Sequence, residues 1–139
     1  MTYTRKRNPG CPLPVEPQVL SIELANLTDT AIDIPVYVPW KNVELTYAYS
    51  VCTAAVDTSG DLGLKFELNA ASGTSLGVMT IPVSTTAGTQ VDWTAGTATQ
   101  LSSDNTSIDA VNIEYDGNSG AGSGKGTFTV FMYFEKYRR

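Results

Sequence analysis

From Gln18 to Tyr137 apolar and polar side chains alternate with a period of two, the pattern of pleated strands that set one face against a core. Leu20, Ile22 and Leu24 alternate with Ser21 and Glu23, and Ile32, Ile34, Val36 and Val38 alternate with Asp33, Pro35 and Tyr37. Pro35 lacks a ladder donor, so its strand is expected at a sheet edge or a bulge. The longest run sets Val43, Leu45, Tyr47, Tyr49 and Val51 against Glu44, Thr46, Ala48 and Ser50, and the first set is expected in the core. Leu64, Phe66 and Leu68 form a further run, then the mostly apolar stretch Val78 to Val83, then Val91 and Trp93 around Asp92, then Val111, Ile113 and Tyr115. The last strand spans Thr127 to about Tyr137, with Phe128, Val130, Met132 and Phe134 inward and Phe131 and Tyr133 on the second face. A strand apolar on both faces is either central and doubly covered or part of a subunit contact; we read Phe131 and Tyr133 as a contact.

These runs make about eight strands, and no stretch has the length and apolar stripe of an amphipathic helix. The expected fold is all-β: an antiparallel β-sandwich of jelly-roll type over residues 18–139. Residues 1–17 read as an extended N-terminal arm, because Pro9, Pro12, Pro14 and Pro17 remove backbone donors and disfavour the α region before them.

Composition narrows the class. A chain of 139 residues with 42% hydrophobic and 17% charged side chains is long and apolar enough for one cored domain. No apolar run is long enough for a spanning helix, and MTYTRKRNPG has no signal-peptide core, so a soluble protein made in the cytosol, without a membrane partner, is expected. Cys11 lies in the arm and Cys52 within a strand pattern, and two free thiols are expected rather than a bridge. Between Asn8 and Glu135 there are fourteen acids against Lys41, Lys65 and Lys125, a net charge of −11, which repels nucleic acid. Arg5, Lys6 and Arg7 make the arm basic. They are read either as a solvated tail or as a segment that orders on an acidic protein partner.

Candidate chemistry is sparse. The chain has no histidine, which removes the commonest general base and metal ligand. Asp57, Asp61, Asp104, Asp109 and Asp116 neighbour Gly, Ser or Asn, where carboxylates ordinarily bond local backbone. The loops Asp57–Asp61 and Asp104–Asp109 offer oxygen ligands but do not follow the calcium-loop pattern with its distal glutamate. Gly120 to Thr127 resembles a phosphate loop, yet Ser119 replaces its first glycine, Gly126 separates Lys125 from the hydroxyl, and a strand follows in place of a helix. No enzyme, cofactor or metal is expected. Trp40, between Pro39 and Lys41, is either an exposed anchor or a rim residue packed over the sandwich end.

The proline-bearing arm, the strand NVELTYAYSVCTAAVD, the Ser/Thr/Gly/Ala-rich middle and the Gly-rich loop before an aromatic final strand together resemble the jelly-roll cement and decoration proteins of tailed bacteriophages. The resemblance covers most of residues 18–137. It implies a virion protein on the outside of the head, commonly a homotrimer, that bridges neighbouring copies of the major capsid protein. Arg5, Lys6, Arg7, Trp40, Phe131 and Tyr133 are the expected protein-binding residues. A carbohydrate- or receptor-binding module using Trp40, Trp93 or the tyrosines is the alternative.

Overall fold

The structure, a computed structural model, describes residues 17–27, 32–54, 61–115 and 126–137. Arg5, Lys6 and Arg7 of the arm, Cys11, Asp57, Asp116 and most of the Gly-rich loop lie outside these residues. Among the described residues there are nine strands: β1 (Gln18–Leu27), β2 (Ile32–Tyr37), β3 (Val43–Ala54), β4 (Leu62–Leu68), β5 (Ser75–Ile81), β6 (Gln90–Asp92), β7 (Thr94–Ala95), β8 (Ala110–Tyr115) and β9 (Gly126–Lys136). No helix long and apolar enough to cross a membrane occurs among the described residues.

The strands form two antiparallel sheets, β1-β9-β3-β6 and β2-β8-β4-β5-β7. The chain crosses between sheets at β1 to β2, β2 to β3, β3 to β4, β5 to β6, β6 to β7 and β8 to β9, and the last strand slots between the first and the third. That winding is a jelly roll, the expected fold. β2 pairs with β8 alone, the edge position that Pro35 predicted.

Both sheets contribute to one core. Phe128, Val130, Met132 and Phe134 alternate inward from β9, and Leu62, Leu64, Phe66, Ile113 and Tyr115 meet them from the other sheet, all essentially without solvent contact. Each such side chain is stabilising by about 1.5–3 kcal/mol through removal of apolar surface from water. Trp93 seals one side of this core, meeting the Phe66 ring edge-on with centroids 5.9 Å apart. Its ring lies against Gly77, where an added Cβ would overlap two Trp93 ring carbons. Trp93 is therefore a packing residue, not an open platform.

One expectation is overturned. Tyr47, Tyr49 and Val51 do not share the core face of Val43 and Leu45. The pairing with β9 shifts between Leu45, opposite Phe134, and Tyr47, opposite Tyr133, which leaves Thr46 as an extra residue. This β-bulge reverses the alternation. Val43 and Leu45 are buried, then Ala48, Ser50 and Cys52 are buried, and Tyr47, Tyr49 and Val51 turn to the outside. The Thr46 hydroxyl donates to the Tyr133 carbonyl at 3.2 Å, and at a second irregularity the Thr53 hydroxyl donates to the Thr127 carbonyl at 3.0 Å. Each threonine thus supplies a donor to β9 where the ladder is interrupted.

Candidate functional site

The outer face of the β1-β9-β3-β6 sheet can be built row by row from the strand register. Glu135 of β9 stands opposite Glu44 of β3. The next row holds Val19, Tyr133 and Tyr47; the next Ser21, Phe131, Tyr49 and Asp92; the last Glu23, Thr129, Val51 and Gln90. Four aromatic rings on two adjacent strands therefore meet on a sheet face that no described residue covers.

The rings touch. Tyr49 stacks on Phe131 at 4.9 Å and on Tyr133 at 5.9 Å, while Tyr47 lies tilted 5.7 Å from both Tyr49 and Tyr133. Offset aromatic pairs at these separations add about 0.5–1.5 kcal/mol each beyond the area they bury. All four residues are half-buried, shielded by one another and open on one side.

A polar edge borders the rings along β6. The Tyr47 hydroxyl donates to Asp92 Oδ1 at 2.5 Å, and Gln90 Nε2 donates to the same oxygen at 2.8 Å. These two bonds, Tyr47 first and Gln90 second, hold the Asp92 carboxyl below its ordinary range. The same bond to Asp92 raises Tyr47, reinforced by partial desolvation and the neighbouring negative charge. Tyr49 is raised as well, mainly by its hydroxyl contact with Tyr133 at 3.5 Å and then by desolvation. Asp92 is therefore a fixed anion beside a fixed set of hydroxyls.

Among the described residues, charge on the outer face of this sheet has one sign. β1, β3 and β6 contain no lysine or arginine, and in β9 the single cation is Lys136, next to its last inward-facing ring. Glu23, Glu44, Asp92 and Glu135 all belong to the outer face. Glu44 and Glu135 are direct cross-strand neighbours, an arrangement that destabilises a sheet unless a cation attends it. Among the described residues the one ion pair, Lys65 with Glu114 at 3.6 Å, lies on the other sheet.

Trp40 occupies a separate place at the end of the sandwich. Its ring packs on Phe134 with centroids 5.6 Å apart, and it is half-buried, the rim position that was one of its two expected roles. The loop is fastened by Ser103 N to Trp40 O at 2.9 Å and Tyr137 N to Asn42 O at 2.6 Å. Asn42, at φ 53°, makes the tight turn that the Asn side chain tolerates. Beside the indole lies an open groove of about 440 Å³ lined by Gln18, Trp40, Lys41, Phe134 and Lys136. The first and last strands both end here, so Gln18 is the point from which the basic arm extends.

Of the carboxylates singled out in the sequence, Asp61, Asp104 and Asp109 lie among the described residues, and each is engaged by hydrogen bonds. Asp104 Oδ1 accepts from Thr106 N at 2.7 Å, Ser107 N at 2.8 Å and the Thr106 hydroxyl at 2.8 Å, which lowers its pKa to about 2. Asp61 accepts from Val83 N at 2.8 Å, and Asp109 from Ser102 N at 2.9 Å and Asn69 Nδ2 at 3.0 Å. Asp104 closes its own turn as expected, whereas Asp61 reaches Val83 and Asp109 reaches Asn69, so these two tie distant segments together instead of bonding local backbone. Among the described residues no three acidic or cysteine side chains converge as metal ligands. Cys52 is buried and its thiol donates to the Ala54 carbonyl at 3.0 Å. Of the expected binding residues, the structure joins Phe131 and Tyr133 in one cluster, sets Trp40 apart on the rim, and adds Tyr47, Tyr49, Gln90 and Asp92. Simple alternation hid the two β3 tyrosines.

No family model, curated protein or solved structure matches the chain.

Proposed function

We propose that this jelly-roll domain is a virion structural protein of the cement or decoration type, which binds the major capsid protein on the outside of a phage head. It acts as a homotrimer and bridges neighbouring capsid subunits. The observation that carries the proposal is the uncovered aromatic cluster of Tyr47, Tyr49, Phe131 and Tyr133 on a rigid sheet. A monomer that ordered four large rings at the surface for no partner would gain less than one that kept them in the core. Asp61, Asp104 and Asp109 are each held by hydrogen bonds at separate places in the fold, which supports a binding role over a catalytic one. Many copies on a lattice convert weak single contacts into firm attachment.

Co-sedimentation with phage heads stripped of this protein tests the proposal. The full chain is expected to pellet with heads, and a chain lacking residues 1–17 is expected to remain in the supernatant with its β circular-dichroism signal intact. Heads that fail to bind the full chain would remove the proposal.

A second reading is favoured by one specific feature, the carboxylate and amide of Asp92 and Gln90 at the border of the rings. Aromatic faces with such a border suit the CH-rich face and hydroxyls of a sugar, so the domain would serve as a glycan-binding module. Glycan-array binding that disappears on Tyr49→Ala identifies this alternative.

A further inference from the structure

We infer that the groove beside Trp40, at the end of the sandwich, is a binding site for an acidic sugar, a pyranose unit that carries a carboxylate. The inference goes beyond the capsid proposal and beyond the glycan reading of the tyrosine face, since it concerns a different place on the fold and rests on neither.

Charge is the first ground. Among the described residues there are three cations, Lys41, Lys65 and Lys136. Lys65 is paired with Glu114 on the other sheet, and the remaining two both line this groove, exposed and in no ion pair with a described carboxylate. Strand alternation puts Lys136 there. It stands two residues beyond the inward Phe134 and is paired with Val43, whereas Glu135 and Glu44 lie on the outer face. Asp104 senses Lys41 only as the last of its causes, after the three hydrogen bonds of its own turn. Between Asn8 and Glu135 the chain has a net charge of −11, so two ammonium groups on one groove reverse the sign of their surroundings.

Stiffness is the second ground. The indole packs on Phe134 with centroids 5.6 Å apart, and its loop is tied on several sides. Trp40 O accepts from Ser103 N at 2.9 Å, Val43 N donates to Leu101 O at 2.9 Å, and Gln100 Nε2 donates to Asn42 Oδ1 at 2.6 Å. A groove of about 440 Å³ has the size of a small-ligand site, and groups ordered beforehand lose little freedom on binding.

The kind of anion follows from what the groove offers. The indole presents a broad apolar surface to the CH-rich face of a pyranose, the two lysines take its carboxylate, and the Gln18 amide can donate to or accept from its hydroxyls. An extended acidic peptide gains affinity through main-chain pairing, but Trp40 O, Asn42 N, Asn42 O and Val43 N are already bonded within the domain. A phosphate is held best by arginine forks or a helix N-terminus, and this lining has neither. A long polyanion would also meet Glu44, Asp104 and Glu135 around the two lysines, which opposes nucleic acid.

Titration calorimetry of the full chain tests the inference, with a galacturonic acid tetrasaccharide and sialyllactose as probes and the tetrasaccharide methyl ester and lactose as their neutral counterparts. At least one acidic sugar should bind about fivefold or more tightly than its counterpart, and more weakly as salt rises from about 0.1 M to about 1 M. Lys41→Gln with Lys136→Gln should weaken that binding about fivefold or more, and Trp40→Ala about tenfold. Both lysines are exposed, so an unchanged melting curve certifies the fold of the lysine variant and keeps the test valid where Trp40→Ala melts early. Failure of both acidic sugars to bind overturns the inference, as does equal binding of the neutral counterparts or binding indifferent to the lysine pair. Binding lost on Tyr49→Ala but kept by the lysine variant would put the sugar on the tyrosine face and overturn it too. So would tighter binding of adenosine monophosphate or of an acidic peptide. Heads that bind a chain unable to take acidic sugars leave the capsid proposal standing and this inference refuted, and sugar binding by a chain that ignores heads does the reverse.

Discussion

Deleting Thr46 is the sharpest probe of how this fold makes its outer surface. Without the extra residue, Leu45 is followed directly by Tyr47, so consecutive residues of β3 face Phe134 and Tyr133 of β9 and the ladder runs unbroken at this point. Val43 and Leu45 stay inward, Tyr47 and Tyr49 stay outward, and no side chain has to change face. The deletion removes the hydroxyl bond from Thr46 to the Tyr133 carbonyl, about 0.5–1.5 kcal/mol, and puts regular pairing in its place, so the stability should change by no more than about 1.5 kcal/mol. A strand without the bulge, carrying Val43, Leu45, Tyr47, Tyr49 and Val51 on one inward face, would respond differently. There the deletion would turn one part of that set to the other face, and exposing Val43 and Leu45 alone would lose about 1.5–3 kcal/mol each, about 3–6 kcal/mol together. That is a large share of the about 5–15 kcal/mol that ordinary domains possess. Urea denaturation followed by circular dichroism measures the difference, with Thr46→Ala as the control, which removes only the hydroxyl bond and should lose about 0.5–1.5 kcal/mol. A deletion variant that loses about 3 kcal/mol or more while Thr46→Ala does not would refute the assignment of the bulge and of the outward tyrosines.

Other positions give further checks. Gly77→Ala should destabilise by about 1–3 kcal/mol and shift tryptophan fluorescence, because the new methyl meets the Trp93 ring; an unchanged melting curve would contradict that contact. Asp104 has a folded pKa of about 2, below its ordinary 3.8, so its contribution to the 104–107 turn is fully present above about pH 4 and is lost as pH falls through about 2. Carboxyl NMR should show that titration, and Asp104→Asn should abolish the corresponding change in the amide signals of Thr106 and Ser107. Tyr47→Phe removes the first cause of the lowered Asp92 pKa, so the Asp92 titration should move upward; no movement would show that the 2.5 Å bond does not persist in solution. Val130→Ala opens a cavity between the sheets and should cost about 2–4 kcal/mol in chemical denaturation, whereas Val19→Ala on the exposed edge should stay within about 0.5 kcal/mol.

Period-two hydrophobicity by itself determined that the chain is all-β, where most strands lie, and which residues of β1, β4, β8 and β9 point inward. Those strands keep one phase over the residues that matter, so counting along the chain suffices. Pro35 announced an edge through its missing donor, and Asp104 announced a turn through local bonding that needs no distant partner, whereas the partners of Asp61 and Asp109, Val83 and Asn69, are set by the tertiary fold. The aromatic second face of β9 was legible too, because Phe131 and Tyr133 interrupt a polar series. What only the tertiary structure decided is the phase of β3. Tyrosine is at home inside or outside, and Ala48, Ser50 and Cys52 fit either a crowded core or a surface, so local composition does not distinguish the two registers across Thr46. The choice falls to the opposing sheet, whose large side chains already fill the interior opposite the small ones, and to β9, whose carbonyl at Tyr133 takes the Thr46 hydroxyl. The juxtaposition of Asp92 with the rings is likewise long-range: β6 reaches β3 from some forty residues downstream, a pairing that rests on closure of the sandwich and leaves no mark on the order of residues along the chain.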